Sequence, residues 1–175
     1  SLPSVSAILV ITVFTGFGQA SLPTPFAGGD DGPASPPPLS DRIEAARAAG
    51  PFDVERVRER DGLRNGPRYR GATIYHPAKK VAADGVEPPA PPARLASVVL
   101  VPGFMGPERS MSRWGPFLAS HGYAVMTIGT NGLSDNPEAR GAALVDGMVT
   151  LRAENERPDS PLFGRIDPDR IAVGG

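Results

Sequence analysis

The 175-residue chain is long enough for one domain with a real core, and its 40% apolar content is ordinary for a globular protein. A formal net charge of −1 excludes a field that would gather nucleic acid or anionic lipid. With no cysteine, a disulfide framework and a thiolate metal site are excluded within this stretch, and His76 and His121 lie too far apart in the chain for a convincing metal site.

The first informative segment is the apolar run at residues 6–14, followed by Gly18, Gln19 and Ala20. It has the form of the apolar region and small-residue cleavage site of a secretory signal, and it is too short to span a bilayer comfortably. A buried first strand is the alternative. The initiator Met and a basic leader are missing, so residues 1–20 are expected to be an incomplete signal of a secreted protein, extracellular or periplasmic, shortened at this end. Residues 21–39 are rich in Pro, Gly and Ser without apolar period and are expected to be a disordered tether. A partial globular domain is expected over residues 40–175.

That domain is expected to open with Ser40 as the N-cap of a short helix that Gly50 and Pro51 end. Phe52, Val54 and Val57 suggest a first strand, wet because charged residues stand between them. A second strand runs from Gly71 to a stop at Pro77, and residues 79–93 form a polar, Pro-rich surface loop. Leu95 to Val101 is a continuous apolar run with β-branched character, the pattern of a strand covered on both faces. Pro102 and Gly103 stop it.

Met111, Trp114, Phe117 and Leu118 fall at helical spacing, with Pro116 in the first turn and Gly122 closing the helix in a left-handed conformation. Tyr123 to Ile128 is a second buried strand. Pro137 starts a further helix with Leu144, Val145, Met148 and Leu151 on one side. Ile171, Ala172 and Val173 make a third strand. The alternation predicts an α/β fold with two right-handed crossovers and a mostly parallel sheet flanked by helices. Chemistry in such sheets collects beyond the carboxyl ends of the strands, here Gly103-Phe104, residues 129–131 and Gly174-Gly175.

The stretches Val101-Pro102-Gly103-Phe104-Met105, then residues 114–123 (WGPFLASHGY), then Thr130-Asn131, resemble the cutinase-like polyester hydrolases. These form the dienelactone-hydrolase-related group of α/β-hydrolases that includes poly(ethylene terephthalate) hydrolases. Gly50-Pro51-Phe52, Thr73-Ile74-Tyr75-His76-Pro77, Asp135-Asn136-Pro137, residues 163–167 and residues 170–175 continue the match in order, so the resemblance covers about residues 50–175.

The resemblance implies a secreted serine esterase acting on short- to medium-chain esters, triglycerides or aliphatic polyesters through an acyl-enzyme, with no cofactor. It also implies that Gly175 is the first glycine of the G-x-S-x-G nucleophile elbow, so the chain is expected to stop two residues before its serine. The Ser–His–Asp triad would then lie wholly outside this stretch, and the 175 residues alone are expected to be inactive. The oxyanion donor supplied by the loop after the third strand matches the backbone N–H of Phe104, and the Phe104 ring and Met105 are expected to wall the acyl cleft. The alternatives are a secreted, non-catalytic lipid- or polyester-binding module, and a dienelactone-type hydrolase with a cysteine nucleophile.

Each of these residues also has a plain reading. Phe104 could be a core aromatic at a strand end, and Met105 a gap-filling side chain. Trp114 is expected to pack between helix and sheet rather than to touch substrate. Ser120 and His121 leave a helix in different directions and are not read as a nucleophile and base. His76 is expected at a solvated strand end, Asp135 in a turn that starts a helix, and residues 167–170 in a turn that delivers the last strand. The charges at residues 55–60 and 152–157 are expected on solvated faces. The glycines around Phe104 lack the G-x-G-x-x-G spacing of a dinucleotide loop.

Overall fold

A computed structural model of the chain describes residues 36–81 and 87–175. The predicted signal and most of the predicted tether lie outside the described residues. The chain divides into two compact units, Ser1–Ala48 and Ala49–Gly175.

In the first unit the described element is helix α1, Leu39–Arg47. It begins one residue before the expected cap. The Pro38 carbonyl accepts from the N–H groups of both Asp41 and Arg42 at 3.1 Å, while Ser40 Oγ donates to Asp41 Oδ1 at 2.9 Å. Ser40 is therefore inside the first turn and caps nothing.

The second unit is built on a five-stranded sheet: β1 (Asp53–Arg58), β2 (Ala72–Ala78), β3 (Leu95–Leu100), β4 (Ala124–Ile128) and β5 (Ile166–Gly174), in spatial order β1-β2-β4-β3-β5. The β1–β2 and β2–β4 pairs are antiparallel, and β3 is parallel to both β4 and β5. Helix α2, Trp114–Ser120, joins β3 to β4, and helix α3, Pro137–Glu156, joins β4 to β5.

The two-residue alternation of the strands divides the core into two layers. Ile74, Val99, Val101, Met126 and Ile128 face one way and pack with Ala143, Leu151, Leu144 and Met148 of α3. Tyr75, Val98, Leu100 and Val125 face the other way and pack with Leu118 and Ala119 of α2. Helix α3 thus covers one face of the three parallel strands, while α2 covers the other face over β4 and β2 and leaves Ala172 and Val173 of β5 exposed. The connection after β3 leads to β4 on one side, and the connection after β4 leads back across to β5 on the other. Strand β3 therefore ends at the switch point where such sheets form their crevice.

Several local expectations need correction. Strand β2 runs on through Pro77 to Ala78, because β4 pairs with it only as far as Tyr75 and a missing N–H costs least in such a one-sided stretch. His76 is consequently not a solvated end: it pairs in register with Glu55 of β1 and is 2% exposed. Met111 lies in a 3-10 turn before α2, and Trp114, at the start of that helix, is 55% exposed. On α3 the buried line runs through Ala143, Asp146, Gly147, Thr150, Leu151 and Glu154, and Val145 faces outward.

The charges at 152–157 are not all solvated. Glu154 is 2% exposed and accepts from Arg157 Nη2 and Ser160 Oγ, both at 2.7 Å. Residues 167–170 form an excursion inside β5, where Leu95 faces Ile166 and Ser97 already faces Ile171. Asp169 N–H bonds back to Asp167 Oδ1 at 3.2 Å within it. Gly122 has φ 98°, the left-handed turn expected after α2. No described helix is long and apolar enough to cross a membrane.

Candidate active site

The carboxyl ends of β3, β4 and β5 form one rim. The Val101 N–H donates to Gly174 O at 3.0 Å, so the end of β5 stays in register with the end of β3. At Gly175 a Cβ would collide with the Val101 side chain and would lie 2.5 Å from its carbonyl oxygen, so only glycine fits this approach. The glycine pair expected at the sheet's chemical edge is therefore beside the start of the loop that carries Phe104.

That loop, residues 102–107, is a tight structure with defined hydrogen bonds. Gly106 N–H donates to Gly103 O at 2.9 Å, and Met105 N–H donates to Leu133 O at 2.9 Å. Met105 has φ 59°, a left-handed conformation rare for a side chain of its size. The Phe104 N–H lies between these two anchored groups and donates to no acceptor among the described residues. Phe104 is 73% exposed and Met105 is 55% exposed, so neither packs as a core residue.

The loop after β4 supplies the opposite bank. Asn131 Nδ2 donates to Pro67 O at 3.0 Å, and Arg70 N–H donates to Gly129 O at 3.2 Å, which tie it to the segment before β2. Asp135 is spent on turn formation: its Oδ2 accepts from Gly132 N–H at 3.1 Å, and its backbone N–H donates to Gly132 O. Asn136 then caps α3 by accepting from Ala139 N–H at 2.8 Å. Under the rim, Thr127 Oγ1 of β4 donates to Glu108 Oε1 at 2.7 Å and holds the far end of the β3 loop. Thr130 is buried, and its Oγ1 has no hydrogen-bond partner among the described residues.

Ser120 and His121 form no catalytic pair. Ser120 Oγ donates to Phe117 O at 2.7 Å and accepts the Gly50 N–H at 2.8 Å, while the His121 ring stands edge-on to Phe117 at 4.9 Å. His76 is held well inside the sheet, and burial lowers its pKa from the ordinary 6.5. The Pro77 carbonyl and Glu55 oppose that shift, and Arg165 adds to it. Among the described residues no cluster of His, Cys, Asp or Glu is arranged to hold a metal ion.

Sequence reasoning missed two groups. Asp146 of α3 bonds Arg64 Nη2 and Arg68 N–H, both at 2.9 Å, and fixes the segment between β1 and β2. Arg140, in the first turn of α3, donates from Nε to Asp135 O, from Nη1 to Pro102 O and from Nη2 to Leu133 O. Its signal in the sequence was its position: a cation in the first turn opposes the helix dipole, so it needs another reason to be there.

Over residues 30–175 the chain matches the family described as PETase: PET hydrolase-like. It is 33% identical to the bis(hydroxyethyl) terephthalate hydrolase of Streptomyces coelicolor, in an alignment of 98% of this chain and 47% of that protein. It is 31% identical to lipase 1 of a Moraxella species over 76% of this chain and 37% of the relative. With cutinase est1 of Thermobifida alba it shares 30% identity over 80% of this chain and 41% of the relative. The chain thus spans less than half the length of these curated relatives.

Proposed function

The chain belongs to the PET hydrolase-like family of α/β-hydrolases, and on that premise we propose that it is the N-terminal portion of a secreted serine carboxylic ester hydrolase. The substrate class is carboxylic esters and polyesters, in keeping with relatives named as a terephthalate ester hydrolase, a lipase and a cutinase. In this reading a serine two residues past Gly175 attacks the ester carbonyl, histidine shuttles its proton, and aspartate orients the histidine. The chain's own contribution is the Phe104 N–H, one of two donors that stabilise the oxyanion, with the Phe104 ring and Met105 against the acyl group.

The observation that carries this reading is the Phe104 N–H, unpaired among the described residues, on a loop that starts beside the Gly174-Gly175 end of β5. Export is supported by the apolar run at residues 6–14. The test is hydrolysis of p-nitrophenyl butyrate. Protein made from the complete coding sequence is expected to turn it over with saturation and to be silenced by a phosphonate. The 175 residues alone are expected to be no faster than buffer. Saturable turnover by the purified 175-residue chain would count against the division of labour proposed here.

A further inference from the structure

We propose that Arg140 is the positioning residue of the oxyanion hole: its guanidinium clamps the carbonyls on both banks of the rim and so holds the Phe104 N–H at its working angle. This rests on the ester hydrolase reading above and adds a residue to it. In a trans peptide the N–H of one residue points opposite to the C=O of the residue before it. The Gly103 carbonyl is pinned by Gly106 N–H at 2.9 Å, so the direction of the Phe104 N–H is set by whatever holds residues 102–106 in place.

Two anchors do so, and Arg140 touches both. On the near side, Arg140 Nη1 donates to Pro102 O, two residues before Phe104. On the far side, Leu133 O accepts the Met105 N–H at 2.9 Å and Arg140 Nη2 at 3.0 Å. A third bond, from Nε to Asp135 O at 2.9 Å, fixes the root of the guanidinium. Arg140 is half-buried, and among the described residues no carboxylate lies within ion-pairing distance of it. Its donors are directed at carbonyls and not spent in a salt bridge.

The planar fork spreads donors over three nitrogens in a fixed geometry, so Nε, Nη1 and Nη2 each reach a different carbonyl, whereas a lysine ammonium has its three donors on a single rotating nitrogen. The clamp also explains how Met105 is kept at φ 59°: a left-handed non-glycine residue persists when its surroundings over-determine it.

The experiment uses protein from the complete coding sequence and compares Arg140→Met, Arg140→Lys and Arg64→Met. Arg64 bonds Thr150 and Asp146 of α3 and touches neither the Phe104 loop nor Leu133, so it controls for lost stability. Removing one oxyanion donor lowers kcat by about 10²–10³-fold, so Arg140→Met is expected to approach a ~10²-fold loss with KM changed less than about two-fold. Inhibition by phenylboronic acid, whose bound oxygen takes the oxyanion's place, is expected to weaken by a similar factor. Arg140→Lys recovers part of both, and Arg64→Met lowers Tm but leaves kcat and boronate affinity unchanged.

Wild-type kcat and boronate affinity in Arg140→Met, measured below its Tm, would overturn the clamp and leave the esterase reading standing. So would equal losses in Arg140→Met and Arg64→Met. A wild-type protein with no ester hydrolysis at all would overturn both.

Discussion

His76 and Asp146 show what single buried polar groups contribute here. Burial holds the His76 pKa below the ordinary 6.5, so the unfolded chain takes up a proton before the folded one does. The resulting stability is present above pH 6.5 and is lost as pH falls through the lowered folded value. Melting followed from pH 8 to pH 5 is expected to show Tm falling below about pH 6.5, the ordinary histidine value, and His76→Gln is expected to flatten that decline. Asp146 acts differently, since it is the shared acceptor of Arg64 Nη2 and Arg68 N–H. Hydrogen bonds to charged groups contribute about 1.5–3 kcal/mol, and the Arg64 side chain keeps partial contact with water. Asp146→Ala is expected to cost about 2–3 kcal/mol in urea unfolding, and a loss under about 0.5 kcal/mol would mean the network is ornamental.

At the scale of elements, what the sequence made legible was what backbone periodicity and strong breakers encode. β3, β4 and α3 carry unbroken apolar runs or a Pro start, and their positions follow within a residue or two. Misreadings arose where a neighbour in space decides the outcome. His76 looked like a wet strand end until β1 paired along it, and Trp114 looked like core until the short α2 turned it outward. The α3 face is another such case: apolar spacing placed Val145 beside Leu144, Met148 and Leu151, and those three do pack on the sheet, but Val145 faces outward while Ala143, Gly147 and Thr150 share the buried face. At Gly147 the helix lies close on β3, since a Cβ there would lie 2.6 Å from Val99 Cγ1. Alanine gains about 1 kcal/mol of helix propensity over glycine, but overpacking of this kind costs about 1–3 kcal/mol. Gly147→Ala is therefore expected to lower Tm, and a raised Tm would show that α3 can lift from β3 freely.

For the molecule as a whole, the strand order β1-β2-β4-β3-β5 gathers the loop after β3, the loop after β4 and the end of β5 at one edge. The order of apolar runs forecast that gathering, and the family resemblance named the chemistry that Phe104 would serve. The clamp by Arg140 stayed hidden because it bonds to backbone carbonyls, which leave no trace in side-chain patterns. The proposed role of the Phe104 N–H as an oxyanion donor is tested most directly by a crystal structure of phosphonate-inactivated protein made from the complete coding sequence. The expected result is an adduct on the serine two residues past Gly175, its phosphoryl oxygen about 2.7–3.1 Å from Phe104 N. An adduct elsewhere, or an oxygen facing solvent with the Phe104 N–H turned away, would contradict it.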